Sequence, residues 1–304
     1  MLRYGFAAVI GAPNSGKSTL ANALVGSKVA IVTPKVQTTR MNVRGVAIRG
    51  EAQIVLVDTP GIFAPRRRLD RAMVNAAWAG AADADAVVLL VDAADFAANP
   101  QGHGAHDSEA IIEGLNAANR KAALALNKID TMKVGDLLPL AAKLTAACDF
   151  EEVFMISALK GGGLDDLGAW CAAKMPEGPW LYPADQAADI PSRLLAAEIT
   201  REKIYLRLHE ELPYASAVET EKWEERKDGS VKIDQIIYVQ RESQKAIVLG
   251  KGGASIKTIG ALARAEMEEV FARRVHLFLF VKVREGWADS REHYREIGLE
   301  YPEE

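Results

Sequence analysis

The sequence predicts an α/β domain with a doubly wound, largely parallel sheet, followed by a smaller α+β domain. Short apolar runs alternate with helical patterns over the first half of the chain, which is typical of a parallel sheet covered on both faces. A Pro-rich stretch then interrupts the pattern, as linkers do. Because 304 residues exceed one ordinary domain, we predict domains at 1–175 and 192–304, joined by a linker at 176–191.

The first domain opens with a strand at Arg3–Ile10 and a helix at Lys17–Val25, joined by a Gly-rich loop. Later apolar runs have the length of buried strands. They lie at Ala52–Val57, Ala86–Val91, Ala122–Leu126 and Val153–Ile156.

The second domain is predicted to follow the order helix, strand, strand, helix, helix, strand. Ser192 is a plausible N-cap for the first helix and Pro213 a stop after Leu212. Asp228-Gly229 joins two alternating segments as a hairpin turn. The remaining predicted elements are strands Ser216–Glu224 and Ser230–Val239, helix Ser255–Phe271 and strand Val275–Val283.

Composition excludes several classes of protein. Hydrophobic residues make up 49% and charged residues 26%, which disfavours fibrous and disordered chains. The two cysteines show no metal-ligand spacing, as expected in a reducing compartment. We therefore expect a cytoplasmic protein.

A phosphate-binding loop, Gly11-Ala12-Pro13-Asn14-Ser15-Gly16-Lys17-Ser18 with Thr19 after it, lies between the first strand and the first helix. Its backbone N–H groups can surround phosphates at a helix N-terminus. Lys17 would reach the β- and γ-phosphates, and the Ser18 hydroxyl would bind Mg²⁺.

Asp58-Thr59-Pro60-Gly61 follows the second apolar run, where ligands bind in open α/β sheets. Asp58 can hold Mg²⁺ through water, and the Gly61 amide can meet the γ-phosphate. A polar segment from Thr33 to Arg40 is suited to a switch loop that supplies a threonine to Mg²⁺. Thr38 and Thr39 both remain candidates, with Thr39 preferred.

Asn127-Lys128-Ile129-Asp130 ends the next strand and selects the base. The Asp130 carboxylate can accept from N1–H and N2–H₂ of guanine, whereas adenine has neither donor on that edge. Lys128 would lie along the base, and Asn127 would tie this loop to the phosphate loop. Ser157-Ala158-Leu159 can offer a backbone N–H to guanine O6. Together these motifs predict a GTP-binding domain.

The residue after Gly61 is Ile62, where many small GTPases place a glutamine that orients the attacking water. We therefore expect slow hydrolysis or help from another group. In related GTPases that carry an asparagine in the phosphate loop and a hydrophobic residue after DxxG, a bound potassium ion can supply positive charge. Asn14 makes K⁺ a candidate cofactor beside GTP or GDP and Mg²⁺.

A basic, glycine-rich window distinguishes the second domain. The chain carries a net charge of −4, of which +1 falls on residues 1–175 and −5 on 176–304. Yet Ser243–Ala265 contains no acidic residue and four basic ones, a local signal that favours phosphate binding. The window has a GxxG loop between apolar segments, which is the KH pattern for clamping about four nucleotides. The predicted RNA-binding residues are Ile247, Val248, Gly250, Lys251, Gly252, Gly253 and Lys257.

With both motif sets in place, the chain resembles the bacterial Era GTPases over essentially its full length. The likeness extends to Gln37-Thr38-Thr39-Arg40, the Leu249–Gly260 segment and Gly286-Trp287. Ala12 and Ser15 depart from the family's GRPNVGKST, at positions that carry no phosphate ligand. The resemblance implies a P-loop GTPase sheet followed by a type II KH domain. It also implies binding to the 3′ end of 16S rRNA, assistance in 30S subunit assembly and a loose peripheral association with the inner membrane.

Two alternatives compete with this interpretation, in which we expect a monomer. The chain could be a related GTPase that acts in tRNA modification or at the membrane, with its C-terminal domain binding protein. It could also be a P-loop kinase, which Asp130 disfavours because such a kinase needs no guanine-selecting carboxylate.

Overall fold

The computed structural model describes residues 1–35, 38–208, 212, 216–287 and 290–302. Val36 and Gln37 of the predicted switch loop therefore lie outside the described residues, as does Pro213, the predicted helix stop.

The chain divides into two compact units. The first unit contains Met1–Ala30, Thr39–Asp189 and Ile297–Glu304, and the second contains Ile31–Thr38 and Ile190–Glu296. The units differ from the predicted domains in two ways. The short segments 31–38 and 297–304 group with residues distant in sequence, and residues 176–189 of the predicted linker belong to the first unit. The domain limits drawn from the sequence stay predictions.

A mixed six-stranded sheet forms the centre of the first unit, in the order β2-β3-β1-β4-β5-β6. Neighbouring strands pair in parallel, except that β2 runs antiparallel to β3 at the edge. The strands are β1 (Arg3–Ile10), β2 (Val43–Arg49), β3 (Ala52–Asp58), β4 (Ala86–Asp92), β5 (Ala123–Asn127) and β6 (Val153–Met155).

Helices cover both faces of this sheet. Ala8 and Ile10 of β1 belong to one apolar cluster, whereas Ala7 and Val9 belong to another. Alternate residues of a strand point to opposite faces, so the sheet has a core on each side. The helices are α1 (Lys17–Val25), α2 (Arg68–Asp83), α3 (Ala93–Ala98), α4 (His103–Ala117), α5 (Val134–Ala147) and α6 (Leu164–Lys174).

The β2 strand was not predicted. Its sequence, Val43–Arg49, contains a glycine and two arginines that obscure the strand pattern. A Cβ atom at Gly45 would lie 2.7 Å from Val25 Cγ2, so this glycine lets α1 pack closely on the strand.

Three helices pack against one face of a three-stranded sheet in the second unit. The sheet order is β7-β8-β9, with β7–β8 antiparallel and β8–β9 parallel. This is the predicted order of elements, followed by one more short helix. The elements are α7 (Ser192–Arg207), β7 (Ser216–Glu225), β8 (Val231–Val239), α8 (Glu242–Leu249), α9 (Ala254–Val270), β9 (Val275–Val283) and α10 (Arg291–Glu296).

Helix α7 differs from its predicted bounds at both ends. Pro191 rather than Ser192 is the N-cap, and no side chain caps the helix there. The predicted end at Leu212 is wrong because Leu208 already has extended backbone angles, φ −98° and ψ 149°. Amphipathic spacing continues past residue 207 in the sequence, but the chain leaves the helix there.

One helical stretch of the described residues, Glu242–Val270, has the length and apolar composition of a membrane span. It consists of α8 and α9, which are separated by a glycine loop. Gly250, Gly252 and Gly253 in that loop all have positive φ angles. The break shows that the stretch is two helices rather than one continuous rod.

Candidate nucleotide site and candidate nucleic-acid interface

The phosphate-binding loop joins the end of β1 to the start of α1. Gly16 is the N-cap of α1 with a φ of 100°, a conformation that glycine adopts without strain. A Cβ atom at Gly16 would lie 2.4 Å from Asn127 Nδ2, and one at Gly11 would lie 2.3 Å from Leu90 O. Asn14, with a φ of 62°, completes the curl. The backbone angles and close contacts of this loop therefore require glycine at positions 11 and 16.

Lys17 is buried within this loop, with 6% of its surface exposed. Its Nζ donates to Gly11 O at 3.1 Å and to Ala12 O at 2.8 Å. Burial lowers the pKa of Lys17 to about 8, against the attraction of the Asp58 carboxylate. The ammonium group is thus held within the loop by two backbone carbonyl oxygens, which a phosphate anion can replace as partners.

Three oxygen-bearing side chains converge beside Lys17. Ser18 Oγ donates to Asp58 Oδ2 at 2.7 Å and lies 2.9 Å from Thr39 Oγ1. Burial raises the pKa of Asp58 to about 6, although the Ser18 bond, the Lys17 charge and the Thr39 bond all lower it. Among the described residues, Asp58 Oδ1 is buried and has no hydrogen-bond partner. Two hydroxyls and a partly unsatisfied carboxylate are a donor set that suits Mg²⁺.

The geometry distinguishes Thr38 from Thr39, the two candidates for the switch threonine. The Thr38 hydroxyl lies 2.6 Å from Thr33 Oγ1 and donates to Lys35 O at 2.7 Å. Of the two, Thr39 brings its hydroxyl to Ser18. The arrangement favours Thr39 as the candidate metal ligand.

Gly61 and Ile62 lie directly against the phosphate-binding loop. A Cβ atom on Gly61 would come within 2.9 Å of Pro13 Cγ. The Ile62 amide donates to Gly11 O at 3.1 Å, and the side chain is buried in the apolar core. The side chain at position 62 therefore cannot orient a water molecule.

Asn127 connects the base-selecting loop to its neighbours. Its Nδ2 donates to Ser15 O at 2.8 Å, and its Oδ1 accepts from Ala158 N at 2.9 Å. This is the tie to the phosphate loop that the sequence suggested. Ser15 is itself buried, with 1% exposure, and Thr19 is half-buried on α1.

Lys128 is held by a residue that the sequence reasoning missed. Its Nζ donates to Asn14 O at 2.9 Å and forms an ion pair with Asp92 Oδ2 at 2.5 Å. Asp92 ends β4, as Asp58 ends β3. A carboxylate at the carboxyl end of a parallel strand was the signal that could have identified it.

Asp130 and Ser157 lie together at the outer edge of the site. Ser157 Oγ donates to Asp130 Oδ1 at 2.6 Å, while Asp130 stays exposed. Ala158 is buried, but Leu159 is 74% exposed. An exposed carboxylate beside an exposed apolar side chain can bind the edge and the face of a planar base.

In the second unit, the glycine loop between α8 and α9 borders open space. A Cβ atom on Gly250 would lie 2.7 Å from Ser255 Cβ, so the loop packs tightly there. At Gly252 and Gly253, no described atom lies within 4 Å of such a Cβ. Gly253, with a φ of 76°, is the N-cap of α9. The loop therefore presents bare backbone at a helix N-terminus, which suits an approaching phosphate.

The side chains around the loop separate into exposed and buried sets. Lys251 and Lys257 are exposed, and Ile247 is 56% exposed. Val248, in contrast, is fully buried in the core of the second unit. The prediction that Val248 binds RNA is therefore wrong for its side chain, because this side chain faces the core from α8.

Comparisons with known proteins agree with both domains. The family described as a 50S ribosome-binding GTPase matches residues 6–128, and the KH domain family matches residues 211–288. The GTPase Era of Brucella suis is 60% identical over 99% of this chain and 94% of that protein. The GTPase Era of Caulobacter vibrioides is 60% identical over 98% of this chain and 97% of that protein.

Two solved structures are similar over almost the whole chain. One is a tyrosine-to-alanine variant of Aquifex aeolicus Era bound to GDP and AlF₄⁻, and the other is Era with MgGDPNP and nucleotides 1506–1542 of 16S ribosomal RNA. Each has a TM-score of 0.89 and 38% identity, and the match covers 98% of this chain and 99% of the other.

Fold and site together define a P-loop GTPase with a C-terminal KH domain, which confirms the predicted fold class. Such an enzyme hydrolyses GTP to GDP and phosphate. The high identity over nearly the full length is more specific than the class, and it shows that the chain belongs to the Era GTPase family.

Proposed function

We propose that this GTPase binds the 3′ end of 16S rRNA through its KH domain and assists assembly of the small (30S) ribosomal subunit. The observation that carries the proposal is the likeness to Era in complex with MgGDPNP and nucleotides 1506–1542 of 16S rRNA, which covers 98% of this chain. The open backbone of Gly252 and Gly253 supports it with a surface that a nucleotide chain can approach.

The proposed nucleotide site uses the residues that converge at the ends of β1 and β3. Lys17 binds the β- and γ-phosphates in place of its present carbonyl partners, and Gly61 offers its amide to the γ-phosphate. Ser18, Thr39 and Asp58 would hold Mg²⁺, which when bound offsets negative charge on the phosphates. The unsatisfied Asp58 Oδ1 supports this assignment.

We assign guanine recognition to the loops after β5 and β6. Asp130 accepts both donors of the guanine edge, and the Ser157 hydroxyl orients its carboxylate from 2.6 Å. Lys128, fixed by Asp92 and Asn14, lies along the base. Asn127 joins these two loops to the phosphate loop through its hydrogen bonds to Ser15 and Ala158.

Asn14 is the proposed ligand of an additional K⁺ ion. Ile62 is buried and offers no polar group to the attacking water, so hydrolysis needs help from another group, and a bound K⁺ would supply it as positive charge. The left-handed backbone of Asn14 places it at the tip of the phosphate-binding loop. Potassium dependence of hydrolysis is the expected consequence.

We place the protein in the cytoplasm as a monomer, with peripheral association at the inner membrane as a further part of the proposal. The family resemblance supports this placement. Association would be peripheral because α8 and α9 are separated by a glycine loop and do not form a continuous membrane span. Membrane fractionation of cells tests this: the protein should leave the membrane in high salt, as a peripheral protein does.

RNA affinity measured by fluorescence anisotropy tests the proposed partner. The full-length protein should bind a labelled RNA with the 16S 3′ sequence at least ~10-fold more tightly than a scrambled RNA. Gly253→Asp places a carboxylate at the open loop and should abolish this preference. Gly229→Asp is the matched control, because Gly229 also has a positive φ of 80° and open space around it but lies in the β7–β8 turn. Equal loss in both variants, or equal affinity for the two RNAs, would contradict the proposal.

A further inference from the structure

The segment before Thr39 groups with the second unit although its sequence neighbours belong to the first. Residues 31–38 are assigned to the second unit, between Ala30 and Thr39 of the first. Helix α7 supplies the contacts that hold this segment. Residues 31–38 are thus held within the second unit, and the next residue along the chain is Thr39.

Hydrogen bonds join the segment to α7 at three places. The Val32 amide donates to Glu202 Oε1 at 2.8 Å. Lys35 Nζ donates to Leu208 O at the C-terminal end of the helix, where a cation is favoured. At the far end of the segment, Arg201 Nη2 donates to Thr38 O. The bonds are spaced along the segment and hold it at its beginning, middle and end.

Arg201 is built as a rigid anchor. Only 2% of its surface is exposed, and its guanidinium donates through both Nε and Nη2 to the Glu198 carboxylate. The same group lies 5.2 Å from the centre of the Tyr205 ring. Burial lowers the pKa of Arg201, but the Glu198 carboxylate outweighs this and raises it, so the side chain stays charged. A guanidinium group held by a carboxylate and an aromatic ring has little freedom to move.

Glu202 fixes the beginning of the same segment with comparable rigidity. It is 3% exposed, and its Oε2 lies 2.7 Å from Lys203 Nζ. Lys203 in turn pairs with Glu266 on α9, the helix that begins at the glycine loop. The anchor of the segment and the helix that begins at the glycine loop therefore share one partly buried charge network.

We infer that Arg201 is a positioning residue for GTP hydrolysis, because it fixes the peptide plane that joins Thr38 to Thr39. The Thr38 carbonyl and the Thr39 amide share that planar group, so orienting the one orients the other. The Thr39 hydroxyl lies 2.9 Å from Ser18 Oγ. The inference rests on the proposed role of Thr39 as a Mg²⁺ ligand and adds the residue that holds it in place.

GTP and GDP should respond differently when this anchor is lost. The loops that bind the base and the β-phosphate contain no residue of the 31–38 segment, whereas the switch threonine is used when the γ-phosphate is present. Loss of the anchor lowers the population of the competent switch conformation and so weakens only the triphosphate state.

The test compares full-length Arg201→Gln with Arg207→Gln, a matched control at an exposed position near the end of the same helix. Amide hydrogen exchange at residues 31–35, measured without metal or nucleotide, should rise about 10-fold in Arg201→Gln only. Affinity for GDPNP should fall about 10-fold while affinity for GDP stays unchanged. Arg201→Lys keeps a positive charge that can still bind Glu198 or the Thr38 carbonyl, so its exchange rate and GDPNP affinity should lie between those of the wild type and Arg201→Gln. It also covers the case in which the glutamine variant misfolds.

Two outcomes overturn the inference. In the first, Arg201→Gln has the same hydrogen exchange and GDPNP affinity as Arg207→Gln. In the second, Arg201→Gln loses GDP and GDPNP affinity equally, as a merely structural role would produce. Thr39→Ala separates this inference from the proposal beneath it. If Thr39→Ala binds GDPNP as well as the wild type, the Mg²⁺ role of Thr39 fails. If Thr39→Ala loses GDPNP affinity and the Arg201 variants do not, only the positioning role fails.

Discussion

Replacing Asp58 by asparagine should make the protein without metal and nucleotide more stable at neutral pH. Asp58 is fully buried, with 0% exposure, and burial raises its pKa from 3.8 to about 6. A raised pKa in the folded state means that folding favours the protonated carboxyl. The protonated carboxyl therefore adds to the free energy of unfolding. This contribution is fully present below pH 3.8 and is lost as the pH rises through about 6. The neutral amide of the variant never acquires the charge.

The size of the effect follows from the shift. A rise of about two pKa units corresponds to ~3 kcal/mol of free energy of unfolding lost by the wild type above pH 6. Near pH 5 about half of that loss is recovered, because the folded carboxyl is then mostly protonated. Removing the Asp58 charge also leaves Lys17 without its attraction. We therefore expect Asp58→Asn to gain roughly 1–3 kcal/mol at pH 7.5 and clearly less at pH 5.

Urea unfolding of both proteins in EDTA at several pH values between 5 and 7.5 measures this difference. Asp83→Asn is the control for removing a carboxylate from an exposed position, at the end of α2. Mg²⁺ and GDPNP should reverse the order, because a ligand stabilises only the protein that binds it. A wild type more stable than Asp58→Asn at pH 7.5 without metal, by an amount independent of pH, would refute the reasoning.

Two further perturbations test the base site and the missing glutamine. Asp130→Asn should lower GTP affinity by at least ~10²-fold, because a donor then faces the two donors of guanine; unchanged affinity in a fluorescent-nucleotide titration would remove Asp130 from the base site. Hydrolysis by the wild type should be several-fold faster in K⁺ than in Na⁺ at equal ionic strength, and Asn14→Ala should abolish that difference. Equal rates in the two salts would exclude the potassium proposal.

Local chain chemistry explains which parts of the molecule were predictable. The phosphate loop, the Asp58 turn and the glycine loop depend on backbone freedom and short motifs, so each was placed correctly from adjacent residues. The end of α7 was not, since the amphipathic spacing continues beyond Arg207 while the backbone turns extended at Leu208.

Features that depend on contacts distant in sequence were missed. Asp92 was missed because its partner Lys128 lies 36 residues away in the sequence. Arg201 was missed because its partner Thr38 lies 163 residues away. Val248 was misjudged for a related reason. The sequence shows an apolar pair, Ile247-Val248, but only the packing of α8 on the sheet determines which of the two is buried.

Crosslinking in cells, followed by sequencing of the bound RNA, tests the central claim most directly. The wild-type protein should enrich fragments from the 3′ end of 16S rRNA, and Gly253→Asp should lose that enrichment while keeping its GTPase activity. The Gly229→Asp control should behave as the wild type. Enrichment of tRNA instead, or a 16S signal that persists in Gly253→Asp, would contradict the account.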